Sequence, residues 1–113
     1  MIVPCEITND RVAARRIDGC VAVVHRLKCW TNFYDEIVAG RKRHDLRRAH
    51  DRNFRVGDRI LLCEFDPNLG IYTGREQLVE ISYITSAEQP CALSDLALHR
   101  DFCILSIVLV TQD

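Results

Sequence analysis

With 113 residues, 48% of them hydrophobic and 27% charged, the chain is sized for one domain around one core, which excludes an intrinsically disordered protein. The longest apolar run, Phe102 to Val110, is broken by Ser106 and too short to span a bilayer, and the N-terminal MIVPCEITND lacks the pattern of a secretory leader. A cytoplasmic protein without a membrane partner is therefore expected.

The net charge of −1 hides a segregation. Eight basic residues and only three acids lie between Arg41 and Arg59, whereas two arginines and eight acids follow Arg59. A local excess of five positive charges points to an anionic partner, set against the commoner meaning of such a run, a solvated basic face.

In chain order, residues 1–20 form an N-terminal extension of unassigned role, in which TNDRVAARRI suits a short helix capped by Thr8 or Asn9. The domain, residues 21–113, opens with VAVVHRLKC, whose Val-rich and then alternating pattern predicts a strand from Val21 to Cys29. A helix follows. Thr31 or Asn32 is its expected cap, Asp35 and Glu36 favour its positive end, and Gly40 supplies a left-handed stop. Phe33 and Ile37, with Tyr34 and Val38, form its apolar side.

Strands dominate the remainder. HDLRR reads as a short edge strand, and Val56-Gly57-Asp58 as a turn leading into a long strand through ILLCEFD. DPNLGIYTG is rich in turn formers and joins that strand to REQLVEISYIT, where Val79, Ile81 and Tyr83 alternate with Leu78, Glu80 and Ser82. CALSDLALHR suits a short helix capped by Ser94, and FCILSIVLV a final, central strand. One helix after the first strand, followed by antiparallel strands on short turns, makes the expected class α+β, built as a small barrel.

Cys5, Cys20, Cys29, Cys63, Cys91 and Cys103 show no C-x-x-C pair, and His25, His44, His50 and His99 lack ligand spacing, so no metal and no cofactor are expected. In a reducing compartment the thiols are expected to stay unpaired and to serve as small hydrophobes.

HRLKCW, FYDEIVAGRKRHDLRR, DRNFRVGDRILLCEFDPNLGIYTGRE and VEISYIT, in that order, resemble the ASCH superfamily. These are small β-barrel domains related in fold to the PUA RNA-binding domain. Within the superfamily the chain is most similar to the short phage and bacterial branch known as domain of unknown function 3850. The resemblance covers residues 24 to 110. Gly40, Lys42, Asp45 and Arg47 fall on the family signature, with Asp45 where the branch usually has Glu. His25, Leu27 and Lys28 fall on its first-strand motif. The resemblance implies a PUA-like barrel of mostly antiparallel strands with a helix after its first strand. It also implies a cleft between helix and barrel, lined by the signature, for RNA or a nucleotide-like ligand.

Lys42 and Arg47 then suit a nucleic-acid backbone, the Arg as a phosphate fork and the Lys as a point charge. The opposing reading has Arg47 pair with Asp45 or Asp58 and brace the barrel. Lys28, Arg41 and Arg48 join the phosphate contacts, Asp45 orients Arg47 or accepts from a base, and Trp30 and Tyr34 offer rings for stacking. His25 reads as a structural histidine bonded across the barrel.

A hydrolase is the alternative. Some ASCH relatives act as amidohydrolases on acetylated cytidine, through a Lys with a Thr three residues later, and others as ribonucleases. Here Asp45 stands at the Thr position after Lys42, which removes the hydroxyl nucleophile and leaves a carboxylate suited to general-base work. Lys42, Asp45 and His44 or His25 would supply a ribonuclease acid/base pair. A third reading is a protein-interaction module that uses the acidic barrel face. No catalytic residue is assigned.

Overall fold

A computed structural model of the chain describes residues 11–17 and 20–111. Six strands, β1 (Arg11–Ile17), β2 (Cys20–Trp30), β3 (His44–Arg48), β4 (Arg59–Asp66), β5 (Ile71–Thr85) and β6 (Phe102–Leu109), form one sheet in the order β1-β2-β4-β5-β6-β3. The sheet curls into a half-barrel. Two helices accompany it, α1 (Thr31–Val38) and the single turn α2 (Ser94–Ala97). Among the described residues, no helix is long and apolar enough to cross a membrane.

Residues 11–17 are a strand and not part of a helix. The backbone edge of β2 pairs them from Ile17 opposite Cys20 back to Arg11 opposite His25, and ladder formation overrides the helical propensity of Ala13, Ala14 and their neighbours. The caps expected at Thr8 or Asn9 lie outside the described residues.

β2 runs parallel to β4, Val24 opposite Arg59 through Trp30 opposite Phe65, and all other pairings are antiparallel. A parallel pair needs a crossover, and α1 followed by β3 provides it. Trp30, in extended conformation, is the N-cap of α1 and makes no side-chain capping bond. The expected cap Thr31 already lies in the helix and donates its hydroxyl to the Phe65 carbonyl of β4 at 3.4 Å. Gly40 ends the helix with a φ of 83°, as its left-handed role requires. Tyr34 and Ile37 are buried, but Phe33 and Val38 are not, because an eight-residue helix presses only one narrow stripe against the sheet.

Leu27, Ile37, Ile60, Leu62, Val79, Ile81 and Leu105 make the core. Asp66 begins the β4–β5 turn, its Oδ1 accepting the Asn68 and Leu69 amides, so β5 begins at Ile71, before Arg75 where the alternation starts. Two register shifts fall along β5. One lies opposite Glu64, between Cys63 and Phe65, where Gly74 takes a φ of 96°. The second, between Ile81 and Tyr83, breaks the expected alternation, leaving Tyr83 half exposed while Ile84 packs against the core. β6 lies between β5 and β3 and buries Cys103, Leu105 and Ile107 on one face. Ser94 is not the cap of α2. Leu93 holds that position, and the Ser94 hydroxyl accepts the Cys91 amide at 2.8 Å.

His25 is fully buried, and its Nε2 lies 2.9 Å from Asp58 Oδ2, which also accepts the Arg55 amide at 3.1 Å. The Val56-Gly57-Asp58 turn is fixed further by the Gly57 amide on the Ile81 carbonyl and the Ile81 amide on the Asp58 carbonyl, both at 2.9 Å. Cys29, Cys91 and Cys103 are free thiols, whereas Cys63 is disulfide-bonded, against the expectation for every thiol. Close approach of two sulfurs in space decides such a bond, and sequence spacing does not reveal it.

Candidate functional site

Among the described residues, β1 pairs with β2 only as far as His25, and no described strand is paired to the flank of β2 beyond it. β3, at the far end of the sheet order, faces this flank without a ladder to it. The pleat of β3 alternates its side chains: Asp45 and Arg47 are half-buried, while His44, Leu46 and Arg48 are exposed. Arg47 Nε donates to Asp45 Oδ2 at 2.8 Å, and its Nη2 donates to the Lys28 carbonyl at 2.7 Å. One guanidinium thus holds its own strand's carboxylate and the main chain of β2.

Cys29 and Cys103 are buried close to this pair. Burial, with the Asp45 carboxylate adding to it, pushes the Cys29 thiol up to about 12, and the same causes raise Cys103. Both thiols are thereby held in the protonated form at neutral pH.

On the outer side of the seam, Trp30 and Phe33 are 48% and 46% exposed, and their rings lie 6.2 Å apart at 12°. They form an open ledge of two nearly parallel aromatic faces. Lys42 Nζ sits 5.7 Å from the Phe33 ring centroid and donates to His44 Nε2 at 3.3 Å. Lys28 Nζ lies 4.3 Å from the Phe65 centroid, a second cation held over an aromatic face.

Lys28, Trp30, Lys42, Asp45 and Arg47, all singled out in the sequence, therefore gather around one seam. Three other candidates are placed differently. Tyr34 is no stacking platform: it is 3% exposed, with the Arg75 guanidinium 4.9 Å from its ring, and burial raises its hydroxyl pKa. Arg41 binds Glu36 through Nε at 2.6 Å and Nη2 at 3.3 Å. Arg48, on the opposite face of β3 from Arg47, lies 5.4 Å over the Phe102 ring.

Sequence reasoning assigned Phe33 to the core, although its place three residues after Trp30 brings the two rings one helical turn apart. It also missed a second polar cluster. Glu64 is 2% exposed, yet it accepts Arg75 Nε at 2.7 Å, Arg75 Nη2 at 2.9 Å and the Thr73 hydroxyl at 2.5 Å. The bulge at Gly74 aims Thr73 and Arg75 at this one carboxylate, and Arg75 Nη2 reaches on to Asp35 of α1 at 2.8 Å. Arg75 pulls the Glu64 carboxyl down to about 2. An acid inside the apolar run LLCEF was the available signal, since carboxylates are buried only with partners.

A family model described as domain of unknown function DUF3850 matches residues 24–107. A protein of Escherichia phage P2, described as an uncharacterized 12.9 kDa protein in the GpA 3′ region, is 32% identical over 65 residues. That alignment covers 58% of this chain and 57% of the phage protein, so the chain spans just over half the length of this relative.

Proposed function

The chain belongs to the DUF3850 family, and we propose that it is a cytoplasmic, ASCH-type, PUA-like barrel that binds RNA or a nucleotide-like ligand without turning it over. The exposed Trp30–Phe33 ledge with the Lys42 ammonium beside it carries this reading. Parallel aromatic faces offer stacking to any base, and a neighbouring ammonium pairs with the phosphate that a stacked nucleotide brings with it. Lys28 adds a second charge on the same strand end as Trp30. A duplex, with its bases already stacked on one another, leaves the ledge unused, so an unpaired strand is the preferred partner.

Arg47 serves this function chiefly by holding the seam closed. Asp45, already bonded to Arg47, is its orienting partner. The test is a set of binding titrations with labelled single-stranded RNA, single-stranded DNA and duplex RNA at two salt concentrations. Tighter binding of single strands that weakens with salt supports the reading. Equal binding of duplex, or no binding at low salt, overturns it.

A further inference from the structure

A groove of ≈260 Å³ opens beside the ledge, between the end of α1 and strands β5 and β6. Ile37, Val79 and Ile107, all buried, form its floor, and the exposed Val108 and Leu109 form its rim. Lys42 and Arg43 stand among its lining residues as its two cations. Arg43 Nε is held by the Gly40 carbonyl at 3.0 Å, which keeps that second charge near the helix end.

Lys42 belongs to both places, since it lines the groove and approaches the Phe33 ring. Phe33 and Ile37 lie one turn apart on α1, about 6 Å along the axis. Ledge and groove are therefore neighbouring sites with an ammonium between them. The groove holds roughly nine water-sized volumes, about the heavy-atom content of one nucleobase. Its apolar floor suits the faces of a base, and the two nearly parallel rings next to it favour a planar ring over an acyl chain.

Building on the nucleic-acid reading above, we infer that the site takes a dinucleotide step of an unpaired strand. One base stacks on Trp30 and Phe33, the linking phosphate lies at Lys42, and the adjoining base enters the groove over Ile37, Val79 and Ile107. Arg43 faces the next phosphate along the strand.

Trp30 is the only tryptophan, so its fluorescence reports the ledge directly. The full chain is titrated with uridine monophosphate, the dinucleotide UpU, UpU lacking its second base, and a uridine decamer. The dinucleotide is expected to bind about ten-fold or more tighter than the mononucleotide, and removal of its second base to abolish that advantage. Val108→Phe, a change at the exposed rim, should narrow the groove and remove the same advantage while mononucleotide quenching persists. Equal affinities for the mononucleotide, the dinucleotide and the abasic form, with quenching intact, overturn the groove and leave the ledge standing. Absence of quenching by every probe, the decamer included, overturns the nucleic-acid reading and this inference with it.

Discussion

Arg47 of β3 donates a hydrogen bond to the main-chain carbonyl of Lys28 on β2 at 2.7 Å, across a seam where the two strands share no ladder. The same guanidinium holds Asp45 at 2.8 Å, so its fork is used in two directions at once. Arg47→Ala is expected to lower stability by about 1.5–3 kcal/mol, the range for hydrogen bonds to charged groups. Arg47→Lys should recover little, because an ammonium cannot reproduce both directions of the fork. Urea unfolding checks this, and a wild-type midpoint in Arg47→Lys would show that charge alone matters there.

A second internal bond, between His25 and Asp58, pins β2 to the turn before β4. His25 is fully buried, its Nε2 meets Asp58, its Nδ1 has no hydrogen-bond partner among the described residues, and the Phe54 ring packs 4.9 Å away. Asp58→Ala strands both His25 Nε2 and the Arg55 amide and should cost about 2–4 kcal/mol. His25→Phe should cost a similar amount by leaving a nearly buried carboxylate without its imidazole. The double variant should cost clearly less than the two single losses combined. A thermodynamic cycle that closes additively would show that the pair acts as two separate groups.

The buried Glu64 makes stability depend on acid. Its carboxyl titrates at about 2 in the folded protein, against 4.5 for an ordinary glutamate, chiefly through Arg75. A depressed pKa contributes stability that is complete above about pH 4.5 and is lost as pH falls towards 2. Glu64→Gln should cost about 2 kcal/mol at pH 7, less than a fully buried pair, because the Arg75 side chain is half exposed. The stability gap between wild type and Glu64→Gln should shrink between pH 4.5 and 2. A gap that stays constant over that window would refute the linkage.

The legible parts of this chain were those set by local rules. Gly40 and Gly57 announced their turns because left-handed backbone favours glycine, and the alternation around Val79 and Ile81 announced β5. The segment at Arg11–Ile17 misled because Ala13 and Ala14 suit a helix, while the β2 edge that recruits them is a tertiary feature. Both Tyr34 and Phe33 were expected on the apolar side of α1, yet only Tyr34 is buried, for a similar reason. They are adjacent on a short helix, and only the position of the sheet decides which ring it covers. The charge run did not reveal how its members are placed: Arg41 and Arg48 found Glu36 and Phe102, partners that spacing alone does not single out. Glu64 and Arg75 met through a bulge, whose extra residues leave only a glycine as a trace in the sequence.

The corrected geometry separates the site residues in binding. Lys42→Ala should make the salt dependence for single strands shallower by about 0.7 in the log–log slope, the loss of one phosphate contact. Lys28→Ala should act in the same direction, since its exposed ammonium stands beside the ledge. Arg47→Ala should change the slope less than Lys42→Ala, because its guanidinium is already bonded to Asp45 and Lys28. Trp30→Ala and Phe33→Ala should each weaken binding by about 1–3 kcal/mol with the slope unchanged, since stacking releases no counterions. Tyr34→Phe should leave affinity as it was, its ring being buried under Arg75. Titrations of folded variants between 50 mM and 200 mM salt read all of these. A loss of affinity in Tyr34→Phe comparable to that of Trp30→Ala would move the stacking surface to the other face of α1 and reject the ledge.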